Sequence, residues 1–259
     1  MQITIINDCF DQNAKLRQVT RTGSLFKNCS VNCFGVKSDL EAGGFLVDAI
    51  DAFDGRAGVI IVNVAPRNKK AEKWKNGTPF GFFRNKKTLV ISSVDGLVLS
   101  LAKKLGVVKN FYLLDISEVL ALINEKELNQ SVKQRVINSQ FRSFDFLPRV
   151  ANWIIKKKNI PFEKYDLSEI SASPNAVWFV DNFGNIKTTL LKKEITLDAK
   201  SKTTLKIAGK SIRLNFYPML GNIPNKKAGL IVGSSGIGES RFLEIISRGG
   251  NASRELGIK

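Results

Sequence analysis

Histidine is absent from the 259 residues, and cysteine is scarce at 3. Without histidine, a zinc site would rest on thiolates and carboxylates alone, and Cys29 and Cys33 find no ready third and fourth ligand. No metal is expected. The three cysteines, Cys9, Cys29 and Cys33, leave an odd thiol in any pairing, which argues against a disulfide framework and for buried free thiols. No stretch approaches eighteen uninterrupted apolar residues, and Asp8 and Asp11 stand where a signal peptide would carry its basic and apolar regions. The expectation is a cytoplasmic protein without a membrane partner. An apolar content of 43% is enough for a buried core.

What the chain has in excess is positive charge: 40 Lys and Arg against 23 Asp and Glu, a net +17. Such a balance attracts anionic ligands by steering. The basic clusters, NKK at 68–70 and 85–87, KKK at 156–158 and NKK at 225–227, are spread along the chain and interleaved with glutamates. A general lysine-rich surface therefore explains them better than a dedicated nucleic-acid face.

From residue 1 to about 160, short β-branched runs alternate with helix-period segments. The runs at 2–7, 30–36, 58–64, 88–93 and 110–116 are nearly continuously apolar, as strands covered on both faces are. Between them, 38–53 places Leu40, Phe45, Leu46, Ala49, Ile50 and Phe53 on one helical face behind Ser38 as N-cap. Residues 126–158 predict two helical pieces broken around Phe144 to Pro148. This alternation implies an α/β domain over 1–160, with a mostly parallel sheet and flanking helices. The aperiodic, proline-containing stretch at 161–173 reads as a linker. From 174 to 259, short alternating runs separated by turn residues predict an antiparallel β-barrel domain.

Three places carry polar groups suited to a ligand. The first strand runs into Asn7-Asp8-Cys9-Phe10-Asp11-Gln12-Asn13, and open parallel sheets bind ligands at the carboxyl ends of their strands. A carboxylate there also serves as a helix N-cap. The turn DNFGN at 181–185 combines a carboxylate, amides, a ring able to stack on a purine and a glycine permitting close approach. A β-turn uses the same residues without any ligand. The loop GSSGIGES at 233–240 offers backbone N–H groups, but no lysine follows in the Walker position.

In order along the chain, IINDCFDQN, VNVAPR, SSVDGLVLSL, QFRSFDFLPRVANWI, VDNFGNIKTTL and GSSG with FLEIISRGGNASRELGIK resemble the motifs of the S-adenosylmethionine (SAM) hydroxide adenosyltransferase family, which also contains the fluorinating and chlorinating enzymes. The resemblance implies a SAM or adenosine ligand. It also implies a homotrimer binding it between the α/β domain of one subunit and the barrel of the next, with SAM as substrate and no separate cofactor. Carried over by motif, Asp8 accepts both ribose hydroxyls, and Asp11 or Asn13, with Asp181, approaches the methionine amino group. Phe183 and Asn185 face adenine, Asn251 and Ala252 meet its edge, and Ser234 or Ser235 meets the methionine carboxylate. Arg142, Ser143, Arg67 and Asp95 make the candidate catalytic set. Against the family pattern, Ala65 replaces an aspartate, Arg142 a histidine and Asp95 an asparagine, and about four residues are inserted after GSSG. The reading that follows is cleavage of SAM at the ribose C5′, with water giving adenosine and methionine; a halide nucleophile is the lesser variant. The alternatives are a SAM or adenosine binder without catalysis and, less favoured, a basic nucleic-acid-associated protein.

Overall fold

A computed structural model describes residues 1–64, 78–195, 202–207 and 209–258. The chain divides into two units, Met1–Ser171 and Ala172–Lys259. The first unit contains, in order, β1 (Gln2–Asn7), α1 (Gln12–Leu25), β2 (Ser30–Gly35), α2 (Asp39–Phe53), β3 (Gly58–Asn63), β4 (Phe80–Asn85), β5 (Thr88–Ser93), α3 (Ser100–Lys104), β6 (Phe111–Leu114), α4 (Ile116–Leu122), α5 (Gln130–Ile137), α6 (Arg142–Asp145), α7 (Leu147–Ile155) and β7 (Glu163–Tyr165). Its seven strands form one sheet in the order β2-β1-β3-β5-β4-β6-β7. The four strands β2, β1, β3 and β5 run parallel, and β4 and β7 run antiparallel to their neighbours.

The five expected strands are all present, the last shortened to Phe111–Leu114. Their alternate residues Ile3, Ile5, Val59, Ile61, Leu89 and Ile91 pack in one core with Phe146, which precedes α7, and with Leu147, Val150 and Trp153 of α7. Full burial of each such side chain stabilises the sheet by about 1.5–3 kcal/mol. Two strands were not expected. Strand β4 pairs with β5 across the turn at Lys86, whose φ is +51°. Strand β7 pairs with β6 inside the stretch read as a linker, so the sheet extends into 161–173.

Helix α2 has Ser38 as its N-cap, accepting from the Glu41 N–H, as the pattern implied. Its burial is wider than one face: Ala42, Gly43, Gly44 and Val47 are buried too, and Phe45 and Phe53 are only half-buried. Gly43 permits this, because a Cβ there would press on the Val98 carbonyl at 3.0 Å. The expected pair of helices over 126–158 is three, α5, α6 and α7, with Pro148 at the first turn of α7, where its missing N–H has no partner to lose.

The second unit holds β8 (Val177–Val180), β9 (Ile186–Leu191), β10 (Thr203–Ile207), β11 (Lys210–Leu214), β12 (Ala228–Ile237), β13 (Ser240–Ser247) and α8 (Ala252–Leu256). Where an antiparallel β-barrel domain was expected, the unit is an antiparallel β domain of a four-stranded sheet, β12-β13-β9-β8, and a two-stranded sheet, β10-β11. A single bridge between Phe216 and Leu230 joins them. Pro218, which has no N–H to give a ladder, follows that bridge and ends the pairing. Both sheets share one core, in which Ile186, Leu205, Ile212, Leu230, Leu243 and Ile245 are buried.

Candidate functional site

In the first unit, the parallel strands bring their carboxyl ends to one edge. Asp8 follows β1 and donates its N–H to the Asn63 carbonyl at the end of β3 at 3.3 Å. The Val64 N–H donates to Ser93 Oγ at the end of β5 at 3.3 Å. Asp95 stands two residues beyond β5, with Oδ1 accepting from the Gly96 N–H at 3.0 Å and Oδ2 buried without a hydrogen-bond partner among the described residues. The turn that carries Asp95 is held from α2: Asp39 Oδ2 accepts the Leu97 N–H at 3.0 Å, and Gly96, at φ +74°, leaves room for that carboxylate. Asp8, Asn63 and Asp95 thus sit at the ends of β1, β3 and β5, strands adjacent in the sheet.

Asp11 is engaged locally: it is the N-cap of α1 and accepts the Ala14 N–H at 3.0 Å. Asn13 lies on the exposed first turn of that helix. Beneath Asp8, a buried polar network was not foreseen. Gln18 Nε2 donates to Asn7 Oδ1 and to the Cys9 carbonyl, both at 3.2 Å, and Asn7 Nδ2 donates to Cys33 Sγ at 3.3 Å. Asn7 and Gln18 are 0% and 2% exposed, so these bonds set the shape of the loop that presents Asp8. Burial pushes the Cys33 thiol above its ordinary value, although the Asn7 bond and Lys15 pull it back. The only sequence signal of this network was an amide at a strand end.

Arg142 opens α6, half-buried, with Nη2 donating to the Thr78 carbonyl at 3.5 Å and Cζ 5.7 Å from the Phe80 ring. Desolvation draws its guanidinium below the ordinary arginine range. Ser143 is buried beside it. Asp145 accepts from Ser139 Oγ at 2.6 Å and pairs with Arg21 at 3.4 Å. Arg67 lies outside the described residues.

In the second unit, the DNFGN turn is locked by its own aspartate. Asp181 Oδ1 accepts the N–H groups of Phe183 and Asn185 at 2.9 Å each, and Oδ2 accepts Asn185 Nδ2 at 2.9 Å. The carboxylate orders the turn and leaves the Phe183 ring 70% exposed, an apolar plane facing solvent. Gly184, at φ +83°, lies against the Asn251 amide, where a Cβ would overlap it. The Gly184 carbonyl accepts the Ser253 N–H at 3.0 Å. Asn251 in turn caps α8 through the Arg254 N–H at 2.8 Å, and Ala252 is fully buried. Asp181, Phe183, Asn185, Asn251 and Ala252 are therefore gathered at one place.

Ser234 and Ser235 occupy a bulge of β12 between Val232 and Gly236 and point differently. Ser234 is exposed, and Ser235, 3% exposed, accepts from Lys187 Nζ at 2.8 Å. Lys187 also pairs with Glu244 at 2.6 Å and lies 5.7 Å from the Trp178 ring. Arg241 clamps the bulge by donating to the carbonyls of Ser234, Gly236 and Gly238 at 2.8–2.9 Å. Neither the Lys187–Glu244 pair nor Arg241 was foreseen. Strand alternation reads both as solvent-facing charge.

Among the described residues, no group of three or more Cys, Asp or Glu side chains could hold a metal, and no helix is long and apolar enough to cross a membrane.

Residues 175–259 match the family model of the SAM hydroxide adenosyltransferase C-terminal domain. No curated protein matches the chain. Among solved structures, an uncharacterized conserved protein from Thermotoga maritima aligns over 99% of this chain and 96% of its own, at 14% identity and a TM-score of 0.66. A conserved hypothetical protein from Thermus thermophilus aligns over 99% and 95%, at 16% identity and a TM-score of 0.58. At such identities the likeness shows a common fold alone. Over residues 175–259, which include the DNFGN turn and Asn251, the chain is similar to the SAM hydroxide adenosyltransferase C-terminal domain, the family its motifs resemble.

Proposed function

We propose that the protein binds SAM and cleaves it at the ribose C5′ with water, giving adenosine and methionine. The observation that carries this reading is one turn assembly in which the exposed Phe183 ring is followed by Gly184 lying against the Asn251 amide, inside the segment that matches the SAM hydroxide adenosyltransferase C-terminal domain. An aromatic plane beside fixed amides is what a purine needs: stacking on one side and edge donors and acceptors on the other.

In this reading Asp8 receives the two ribose hydroxyls, since a carboxylate's two oxygens suit a vicinal diol. Ser234 and the bulge that Arg241 fixes receive the methionine carboxylate, and Asp11 or Asn13 its amino group. Water attacks C5′, the C–S electron pair leaves with sulfur as the neutral thioether of methionine, and the water proton passes to an acceptor. Asp95 is the proposed acceptor, because its Oδ2 is buried and without a partner among the described residues, whereas the Asp145 oxygens serve Ser139 and Arg21. Arg142 stays protonated and acts as an anion holder, with Ser143 beside it. A sulfonium departs neutral and is favoured by desolvation, so positioning supplies much of the rate. The resemblance further implies a homotrimer with sites at subunit interfaces, and the cytoplasm is the proposed location.

A second reading, binding of SAM or adenosine without cleavage, is favoured by one feature: a guanidinium, Arg142, stands where the family has a histidine, and it cannot accept a proton at neutral pH. Chromatography of a SAM incubation, with and without chloride, separates the two. Cleavage predicts adenosine and methionine in equal amounts from wild type, and loss of both in Asp8→Ala. Binding without any product would leave the second reading, and 5′-chloroadenosine would identify a halide nucleophile.

A further inference from the structure

The helices α1, α5, α6 and α7 hold an arginine cluster that the proposed cleavage does not use. Arg17 Cζ lies 5.0 Å from the Phe141 ring centroid and 4.4 Å from that of Phe144, and Arg21 Cζ lies 4.4 Å from Phe144. The two rings pack against each other at 5.6 Å. Stacking engages the face of a guanidinium and leaves the N–H donors in its plane directed outward. Arg21 spends one of them on Asp145 at 3.4 Å. Arg149, on α7, has its Nε buried without a hydrogen-bond partner among the described residues. Burial pushes the Arg149 guanidinium below the ordinary arginine range, and the like charges of Arg21 and Arg135 push it further than Asp145 restores.

The charges of Arg21, Arg135 and Asp145 therefore all act on Arg149, and Arg17 shares the Phe144 ring with Arg21, so four guanidinium groups from three helices are linked with a single carboxylate among them. For folding alone this arrangement is unfavourable: the charges repel, and a buried donor without an acceptor carries a desolvation penalty. An anion that accepts from several guanidinium edges at once removes both defects. A phosphate group fits better than a second carboxylate, because it carries more charge at neutral pH and offers acceptor oxygens in several directions. Arginine stacked on a ring is a preorganised donor for such a group.

We propose that this cluster is a binding site for a phosphate group, with Arg17 and Arg149 supplying donors and Arg21 held in register by Asp145 and the Phe144 ring. Each of the two rings carries an arginine, and recognition is assigned to the phosphate. The phosphate is carried either by a small free phosphate compound or by a nucleic-acid backbone. The site is independent of the nucleoside reading, and its test uses no SAM.

The test titrates the whole protein with pyrophosphate by calorimetry and with a labelled single-stranded oligonucleotide of about 20 nucleotides by anisotropy at 50 and 200 mM salt. The variants are Arg17→Gln and Arg149→Met, with Lys206→Gln on β10 as a remote change of equal charge. Arg17 is exposed and touches rings only among its described contacts, so Arg17→Gln retains the fold, which circular dichroism checks. The site predicts saturable binding of at least one ligand, weakened about tenfold or more in both cluster variants and unchanged in Lys206→Gln. Pyrophosphate binding that the oligonucleotide does not displace identifies a small phosphate compound. Competition, with a salt slope that falls by about 0.7 per arginine removed, identifies the backbone. Absence of saturable binding by either ligand, or equal affinity in wild type, Arg17→Gln and Arg149→Met, overturns the proposal.

Discussion

Replacing Gly184 with alanine tests the link between the DNFGN turn and the last helix. Three costs combine. The residue sits at φ +83°, which costs an L side chain about 1 kcal/mol. The added Cβ overlaps the Asn251 amide, so Asn251 must move and release the Arg254 N–H that it caps at 2.8 Å, about 1 kcal/mol. Displacement of the turn also breaks the Ser253 N–H bond to the Gly184 carbonyl, about 1 kcal/mol. The expected total is about 3 kcal/mol. Gly238 provides the control, since it has φ +52° with open space around it, and its alanine variant should cost only about 1 kcal/mol. Urea unfolding of the two variants gives the difference, and calorimetry with adenosine should show at least tenfold weaker binding in Gly184→Ala and none of that loss in Gly238→Ala. Equal destabilisation by the two substitutions would refute the argument, because it would mean that the turn does not depend on its contact with Asn251.

Lys187→Met strands Glu244, 8% exposed, without its cation and should destabilise by about 3–5 kcal/mol, whereas Lys187→Met with Glu244→Leu should recover most of the loss in denaturant titration. Asp39→Ala removes the acceptor of the Leu97 N–H and should cost about 1–2 kcal/mol, with faster amide exchange at Leu97 as the local sign. The Cys33 thiol is raised by burial, so the folded state keeps its proton longer than the unfolded state does. The stability it contributes is full below the ordinary value of 9.0 and is lost as pH rises through the folded value. Thermal melting from pH 8 to about 11 should therefore show a steeper decline for wild type than for Cys33→Ala.

The inner parallel strands β3 and β5 were legible because they are buried along nearly their whole length and read as apolar runs, whereas the edge strand β2 keeps only Cys33 buried. Strand β4 was not legible: FGFFRN follows a Gly- and Pro-containing stretch, and its Gly81 looks like a turn residue. In the sheet Gly81 is where the Phe111 ring and the Tyr112 carbonyl of β6 come too close for a Cβ. Strand β7, Glu-Lys-Tyr, has no apolar signal because it is an edge strand paired to β6 alone. In the second unit every run became a strand, but no periodicity encodes their division into two sheets or the Phe216–Leu230 bridge that joins them. At the candidate site, motif order placed DNFGN with Asn251, and the Gly184 contact gives that proximity a physical cause. The engagement of Asp181 inside its own turn is the β-turn use that the sequence left open, whereas that of Ser235 with Lys187 was invisible, since hydrogen bonds across strands leave no mark on local composition.

The central claim, a nucleoside pocket in which Asp8 reads the ribose, is tested most directly by calorimetry with adenosine and 2′,3′-dideoxyadenosine on wild type and Asp8→Ala. The account predicts that wild type binds adenosine and loses about 30-fold or more with the dideoxy compound, as expected when a charged acceptor loses its donors. It also predicts that Asp8→Ala binds both weakly and equally. Wild type that binds the two nucleosides with the same affinity would contradict the assignment of Asp8, and no binding of either would contradict the pocket itself.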